Sequence, residues 1–411
     1  MKITTTVTSF LFAILGATPG LAAPPTTVYA AGTAVFQSTD GGAHWTTISP
    51  SFGPIAALAI DPTNTQVIYA GVYNAVYKTT NGGTHWTEET NGISGSLSTV
   101  TALAIDPANP STIYAGTGNF GNGVYKSTDA GVHWTAINNG LMTGTSPGAS
   151  LDVHALAIDP IHTGTLYVTG DTGFFTSKTT NGGASWSPIT GLTAGFGFAA
   201  AVNPVNTSTV YLAGPFGASE STNGGGTWTE LLFPQLIASL AIDPTAPMTV
   251  YAGASGCVLS TPEVCANWVY KTTNGGANFT QEGSLPGTTS VNALAVDPAN
   301  PATLYAGSNN GVYQSTNGGT TWSQVYATSG VHALVMQPNA TQAAAFNLVE
   351  AVAQELIAGV ENLKNTTLSC DILQGLLSEV KTLVQFDFLS STQGQALTVQ
   401  VQTAMQSIPC Q

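Results

Sequence analysis

The chain has 411 residues and a formal net charge of −14, and only 7% of its residues are charged. Its seven basic residues are all lysines, whereas nucleic-acid recognition depends on clustered Lys and Arg. The composition therefore argues against a nucleic-acid partner and predicts a surface made mainly of hydroxyl and amide side chains.

The first residues predict an export signal. Lys2 supplies one positive charge, an apolar stretch runs from Phe10 to Gly16, and small residues precede Pro24. This order is that of a cleaved secretory signal, so we expect residues 1–23 to be removed and the protein to be secreted, extracellular or in the cell envelope. No other segment approaches the ~20 apolar residues of a membrane helix, and the sequence predicts no transmembrane segment.

One eight-residue motif recurs seven times, from Ser38-Thr-Asp-Gly-Gly-Ala-His-Trp45 to Ser315-Thr-Asn-Gly-Gly-Thr-Thr-Trp322. The closing aromatic residues are 41, 48, 52, 42, 51 and 43 residues apart, which is the length of one four-stranded propeller blade. Each period also contains an apolar run that ends before proline and a tyrosine-containing strand that follows it. The sequence therefore predicts an all-β fold, a seven-bladed β-propeller over residues 24–338.

The two ends of the repeat array predict how the ring closes. The first copy begins at Thr27-Val-Tyr-Ala-Ala-Gly32, which corresponds to the second strand of a blade. The missing first strand follows the last copy, at Val331-His-Ala-Leu-Val-Met-Gln-Pro338. We expect one blade to combine three N-terminal strands with one C-terminal strand, which leaves no free sheet edge.

The acidic or amide residue of the motif is predicted to be structural. Its side chain can accept hydrogen bonds from the amides of its own turn, glycine allows a positive φ, and the aromatic packs the hairpin against its neighbour. Ala130 replaces the first glycine in the third copy. The seven positions are Asp40, Asn81, Asp129, Asn181, Asn223, Asn274 and Asn317.

Function is expected where the repeat varies. One position of each first strand differs between blades while its neighbours stay small and apolar, which predicts side chains facing the mouth of the central channel. These positions are Ala56, Thr101, His154, Phe198, Ala238, Asn292 and His332. The loops between blades, and those between second and third strands, are expected on one face, called the upper face here.

Two sets of candidate site residues follow. Asp152, His154 and Asp171 are the titratable cluster outside the repeats and are the candidates for proton transfer. The candidates for ligand binding on the upper face are Phe120, Phe174, Trp268 and His332.

Four cysteines in an exported chain predict two disulfides. Cys257 and Cys265 flank an insertion in one blade, and Cys370 and Cys410 lie near the C-terminus. A metal site is the alternative, but no C-x-x-C or H-x-x-x-H cluster supports it, so no metal or cofactor is predicted.

Residues 339–411 change character, because the repeats stop and apolar residues follow helical spacing. Ala343 to Leu363 carries one apolar stripe, and further helices are predicted from about Leu368 and Gln393. We expect a small α-helical domain that caps the propeller, with a docking or oligomerisation module as the alternative.

The repeated motif S/T-x-D/N-x-G-x-x-W resembles the Asp-box, or BNR, repeat of sialidase-like, YVTN-like and sortilin-type propellers. The resemblance covers residues 27–338 and implies the propeller fold. Sialidases bind the substrate carboxylate through an arginine cluster, and this chain has no arginine. A sialidase activity is therefore not expected.

Other proteins with these repeats also differ from this chain. The photosystem II assembly factors have a basic surface, and the sortilin-type ring is larger and followed by a cysteine-rich module. Enzymes of the xyloglucanase type use paired aspartates between two propellers, and only one propeller fits here.

Two functional hypotheses remain. The first is a secreted recognition or scaffolding propeller that binds an extracellular glycan, peptide or protein on its upper face. The second is a glycoside hydrolase with Asp152 and Asp171 as the carboxylate pair, which requires a separation of roughly 5 to 9.5 Å.

Overall fold

Seven four-stranded antiparallel sheets follow one another in the part of the chain that the structure describes. The structure is a computed structural model. It describes Gln374 and residues 26–337, apart from 94–97, 119–120, 142–150, 171–175, 193–196, 232, 234–235, 256, 259–263 and 266. The contacts group Thr26–Gln337 into one compact unit. The predicted signal and, apart from Gln374, the predicted helical domain lie outside the described residues.

The strands of the first half are short and regularly spaced. They are β1 (Thr27–Ala31), β2 (Val35–Ser38), β3 (Thr46–Thr47), β4 (Ala57–Ile60), β5 (Ile68–Val72), β6 (Ala75–Thr79), β7 (Thr87–Glu88), β8 (Thr99–Ile105), β9 (Ile113–Gly118), β10 (Gly123–Ser127), β11 (Thr135–Ala136), β12 (Val153–Ile158), β13 (Leu166–Gly170), β14 (Thr176–Thr179) and β15 (Ser187–Pro188).

The second half continues the same pattern. Its strands are β16 (Ala199–Val202), β17 (Val210–Gly214), β18 (Gly217–Ser221), β19 (Thr229–Leu231), β20 (Ile237–Ile242), β21 (Val250–Ala254), β22 (Cys257–Val258), β23 (Val264–Cys265), β24 (Trp268–Thr272), β25 (Thr280–Ser284), β26 (Ala293–Val296), β27 (Leu304–Ser308), β28 (Gly311–Ser315), β29 (Ser323–Ala327) and β30 (Ala333–Gln337).

The ring closes as the sequence predicts. Blade 1 has the strand order β3-β2-β1-β30, with Thr27 opposite Gln337 and Ala31 opposite Ala333. Blades 2 to 5 are β4–β7, β8–β11, β12–β15 and β16–β19, blade 6 is β20, β21, β24 and β25, and blade 7 is β26–β29. The inner strands touch in the cyclic order β4, β8, β12, β16, β20, β26, β30 and β4 again. The chain is a seven-bladed β-propeller.

The core lies between adjacent blades. The second strand of every blade contains a tyrosine that is at most 2% exposed, and apolar clusters join the residues of each blade to those of the next. The seven tyrosines are Tyr29, Tyr69, Tyr114, Tyr167, Tyr211, Tyr251 and Tyr305. Because Cβ atoms alternate along a strand, one face of each sheet packs on the preceding blade and the other on the following blade.

The insertion that Cys257 and Cys265 flank lies in blade 6, between β21 and β24. It contains the two-stranded ladder β22–β23, in which Cys257 and Cys265 are backbone partners. The disulfide between them remains a prediction, and Cys370 and Cys410 lie outside the described residues.

Candidate functional site

The repeated turn uses the same three hydrogen bonds in every copy. In the first copy, the Ser38 hydroxyl donates to Asp40 Oδ1 (2.9 Å) and accepts from the Gly42 amide (2.8 Å). Asp40 Oδ1 also accepts from the His44 amide (2.9 Å). The other six copies repeat this pattern. These Asp and Asn side chains hold their own turns.

Two copies add a contact between the histidine and aspartate side chains. His44 Nδ1 lies 2.6 Å from Asp40 Oδ2, and His133 Nδ1 lies 2.7 Å from Asp129 Oδ2. Hydrogen bonds from the histidine backbone amide, then from its side chain, lower the pKa of each aspartate to about 2. These carboxylates therefore remain ionised at neutral pH, and the hydrogen bonds that they accept come from their own turns.

All four lysines of the propeller serve the contacts between blades. In blades 2, 3, 4 and 6, a third-strand lysine places Nζ 5.3 to 5.5 Å from the ring centre of the second-strand tyrosine. The same ammonium donates to a carbonyl in the turn of the next blade. We call this arrangement the latch. The donor–acceptor pairs are Lys78–Ala130 (2.7 Å), Lys126–Gly182 (3.1 Å), Lys178–Gly224 (2.7 Å) and Lys271–Gly318 (3.4 Å).

Ala130, in the turn of blade 3, shows that the latch can stabilise an unfavourable backbone conformation. It has a φ of 59°, in the left-handed region where a non-glycine residue costs roughly 1–2 kcal/mol. Its carbonyl accepts from both the Tyr69 hydroxyl (3.0 Å) and Lys78 Nζ (2.7 Å). These two bonds from blade 2 hold the strained turn of blade 3 in place.

The remaining blades replace the latch lysine. Blade 7 has Gln314, whose amide donates to Gly41 O (2.8 Å), and blade 1 has Gln37. Blade 5 has Glu220, which accepts from the Tyr211 hydroxyl (3.2 Å). Burial raises the pKa of Glu220 above its usual value, and the hydrogen bond from Tyr211 partly opposes this rise.

The variable residues of the inner strands meet around the central channel. A cavity of about 300 Å³ is lined by residues from six of the seven predicted positions, namely Ala56, Thr101, His154, Phe198, Ala238 and His332. The seventh, Asn292, donates from its side-chain amide to Val331 O (3.3 Å). The inner strands therefore bring these residues together from blades distant in sequence.

Three larger side chains line this ring: His154 in blade 4, Phe198 in blade 5 and His332 in blade 1. His154 and Phe198, from neighbouring blades, make an edge-to-face contact with ring centres 5.2 Å apart. The His332 side chain is exposed to the cavity, and partial desolvation by the channel wall lowers its pKa, which favours the neutral imidazole. The cavity thus offers aromatic surface and an uncharged imidazole.

Asp152 lies at the upper end of β12, where it supports a neighbouring loop. Its Oδ1 accepts a 2.6 Å hydrogen bond from the Gly121 amide of blade 3. His154 is two residues further along the chain, in the cavity wall. Asp171, the other half of the predicted carboxylate pair, lies outside the described residues.

Of the four residues predicted to bind a ligand, the structure describes two, Trp268 and His332. Trp268 is half-buried and packs against the apolar cluster between blades 5 and 6, so only part of its surface is available to a ligand. Phe120 and Phe174 lie outside the described residues. His332 faces the channel cavity.

Two exposed aromatic residues were not predicted as site residues. Tyr73 is 49% exposed and Phe216 is 63% exposed. Each lies between the second and third strands of its blade, on the upper face. The sequence contains one signal for them. In blades 2 and 5, the short turn between the second and third strands contains a large aromatic residue, where small polar residues would be enough to form the turn.

No protein-family model matches this chain, and no curated protein matches it. Among solved structures, the chain is similar to the GH74 enzyme of Niastella koreensis, with a TM-score of 0.58 and 20% identity over 75% of this chain and 53% of that one. It is similar to the GH74 xyloglucanase from Xanthomonas campestris at 0.58 and 17%, over 75% of this chain and 55% of that one.

A third similar structure is YCF48 bound to D1 peptide, with a TM-score of 0.49 and 14% identity over 75% of this chain and 88% of that one. The chain spans just over half the length of the two GH74 enzymes. At these identities the similarity establishes the fold alone. Among the residues that the structure describes, no helix is long and apolar enough to cross a membrane.

Proposed function

We propose that the mature chain is a secreted, non-catalytic recognition or scaffolding propeller whose upper face binds an uncharged glycan, peptide or protein. One observation carries the proposal: the residues that vary between blades converge on one cavity, whereas the charged residues that recur serve the blades themselves. Exposed aromatic residues on the same face, Tyr73 and Phe216, would supply stacking or apolar contacts.

The lysines of the latch support a ligand without negative charge. Anionic groups are bound by Arg or Lys through charge-assisted hydrogen bonds. The propeller has no arginine, and each of its four lysines already donates to a carbonyl of the next blade. An acidic glycan or phosphorylated peptide would therefore find no arginine and no lysine free of a contact between blades on the propeller, which supports an uncharged ligand.

The proposal also includes the repeat family, the export of the chain, its disulfides and the role of its C-terminal residues. The motif S/T-x-D/N-x-G-x-x-W supports membership of the Asp-box family, and residues 1–23 support export. Export to an oxidising compartment would allow the disulfides Cys257–Cys265 and Cys370–Cys410. Residues 339–411 would form the helical cap or an oligomerisation module.

The experiment is a glycan and peptide array probed with residues 24–411, followed by affinity measurement on the best ligand. We expect Phe216→Ala and Tyr73→Ala to weaken binding at least tenfold and Met248→Ala to leave it unchanged. Met248 is the matched control, because it is 55% exposed but lies in a turn on the opposite face. Equal losses from all three variants, or binding only to acidic ligands, would overturn the proposal.

The alternative is a glycoside hydrolase. It rests on the fold similarity to the GH74 enzymes and on the carboxylates Asp152 and Asp171. Hydrolysis needs one carboxyl to act as acid and the other as base or nucleophile. Asp152→Asn and Asp171→Asn would then each abolish sugar release from neutral polysaccharides, and release that persists in both variants would exclude this pair.

A further inference from the structure

A groove of about 570 Å³ lies on the outer rim, between blades 1 and 2. Its walls are Ile48, Ser49 and Pro50, which follow β3, and Gly83, Thr84 and Trp86 of the next blade's turn. We call it the rim groove. It combines apolar surface from Ile48, Pro50 and Trp86 with polar atoms of Ser49 and Thr84. It lies on the outermost strands and is separate from the channel cavity.

The next two contacts between blades show what occupies the equivalent place. After the fourth strand of blade 2, a turn formed by Thr90-Asn-Gly-Ile93 lies against Trp134, and the Trp134 amide donates to Asn91 O (2.8 Å). After the fourth strand of blade 3, the turn Asn138-Asn-Gly-Leu141 lies against Trp186 in the same way. The Trp186 amide donates to Asn139 O (2.8 Å).

These two turns share a defined geometry. The fourth residue donates its amide to the first carbonyl, as Ile93 does to Thr90 (3.0 Å) and Leu141 to Asn138 (3.0 Å). The glycine has a φ of 98° in Gly92 and 85° in Gly140, which is typical of the third position of a type II turn. A Cβ on either glycine would overlap the tryptophan carbonyl. Asn139 also donates from its side-chain amide to Ala184 O (3.2 Å).

Blade 1 lacks this turn because its sequence differs at the two central positions. Pro50 and Ser51 stand where blades 2 and 3 have Asn-Gly. The Phe52 amide donates to Thr33 O (3.0 Å) of its own blade, and the Phe52 ring packs edge-to-face against Trp86 with ring centres 5.6 Å apart. The chain therefore turns inward, covers one side of the Trp86 ring and leaves the groove beside Ser49, Pro50 and Trp86. The Trp86 amide makes no backbone bond of the Trp134 kind to any residue that the structure describes.

We propose that the rim groove is a binding site for an Asn-Gly type II turn of a partner polypeptide. The asparagine carbonyl of the partner would accept from the Trp86 amide, and its carboxamide would donate to the Thr84 carbonyl, the counterpart of Ala184. The glycine would lie against the Trp86 carbonyl, where a side chain would overlap. Specificity for Asn followed by Gly arises from these contacts, and the site requires no charge on the partner.

The test uses a cyclic hexapeptide that presents Thr-Asn-Gly-Ile, added to the mature chain labelled with ¹⁵N-tryptophan. We expect a saturable shift of the Trp86 backbone amide resonance. Replacing the peptide glycine by alanine should reduce the affinity at least tenfold. A peptide that leaves this resonance unmoved at millimolar concentration, or an alanine peptide that binds equally well, would overturn the proposal.

A double variant provides the second arm. Pro50→Asn with Ser51→Gly supplies the chain's own Asn-Gly turn, which should cover Trp86, raise the melting temperature and abolish peptide binding. Met248→Ala, in an exposed turn of blade 6 that belongs to neither proposed site, is the control and should bind the peptide as the unmodified chain does. Undiminished binding by a folded double variant would place the peptide elsewhere and refute the assignment.

Discussion

The contacts between blades and the wall of the central channel are built from different strands of the same blades and follow opposite rules. Between blades, tyrosine, tryptophan and lysine recur and bond to backbone carbonyls, as Trp86 does to Ile48 O (2.8 Å) and Trp134 to Glu89 O (2.9 Å). In the channel wall, Ala, Thr, Phe and His occupy equivalent positions. Repetition therefore marks the contacts that hold the blades together, and variation marks the channel wall, which is the proposed binding surface.

The largest expected effect comes from removing a tryptophan between blades. Trp134 is 4% exposed, and Trp134→Ala would lose its packing and its bond to Glu89, lowering the free energy of unfolding by about 3–5 kcal/mol. His154→Ala in the channel wall should change it by less than about 1 kcal/mol. Urea denaturation of both variants measures these changes. Equal losses of unfolding free energy would contradict the difference between the blade contacts and the channel wall.

The latch should have an intermediate effect. Lys178→Met removes the hydrogen bond to Gly224 O and the contact with the Tyr167 ring, with an expected loss of about 1–2 kcal/mol. Lys178→Gln is the matched control and should lose less, because Gln314 makes the equivalent bond in blade 7. The same denaturation assay applies, and a larger loss for Gln than for Met would refute the latch.

Glu220 should make the contact between blades 5 and 6 depend on pH. Its pKa is raised in the folded protein, so the stability it contributes is present below the unfolded pKa and is lost as pH rises through the folded value. Glu220→Gln should therefore raise the melting temperature relative to the unmodified chain more at pH 7 than at pH 4. An equal difference in melting temperature at both pH values would show that burying the Glu220 carboxylate has no pH-dependent cost.

The smallest effect is expected at the turn aspartates. Asp129→Asn should leave the melting temperature at pH 7 unchanged, because five of the seven copies already have Asn at this position. The pKa of Asp129 is lowered to about 2, so its contribution is lost only as pH falls through that value. The unmodified chain and the variant should therefore diverge only in strong acid, and a clear loss at pH 7 would contradict an exchangeable role.

Much of the fold could be predicted because its signals are local. The spacing of the closing aromatics predicts the blade length, and the unmatched strands at residues 27–32 and 331–338 predict the composite blade that the structure contains. The channel positions were also predictable, since they vary among uniform neighbours. Tyr73 and Phe216 were not predicted, because a large aromatic residue in a short turn becomes informative only once its exposure is known.

By itself, the sequence determined the number of blades, the closure of the ring and the chemistry of each turn, because these depend on residues close together in the chain or on a regular period. Only the tertiary structure decided that every propeller lysine is engaged, since each latch joins residues 46 to 56 positions apart. It also decided that Pro50 leaves a groove where Asn91 and Asn139 fill the equivalent space. Such contacts exist only when two blades meet, and no single repeat contains both partners.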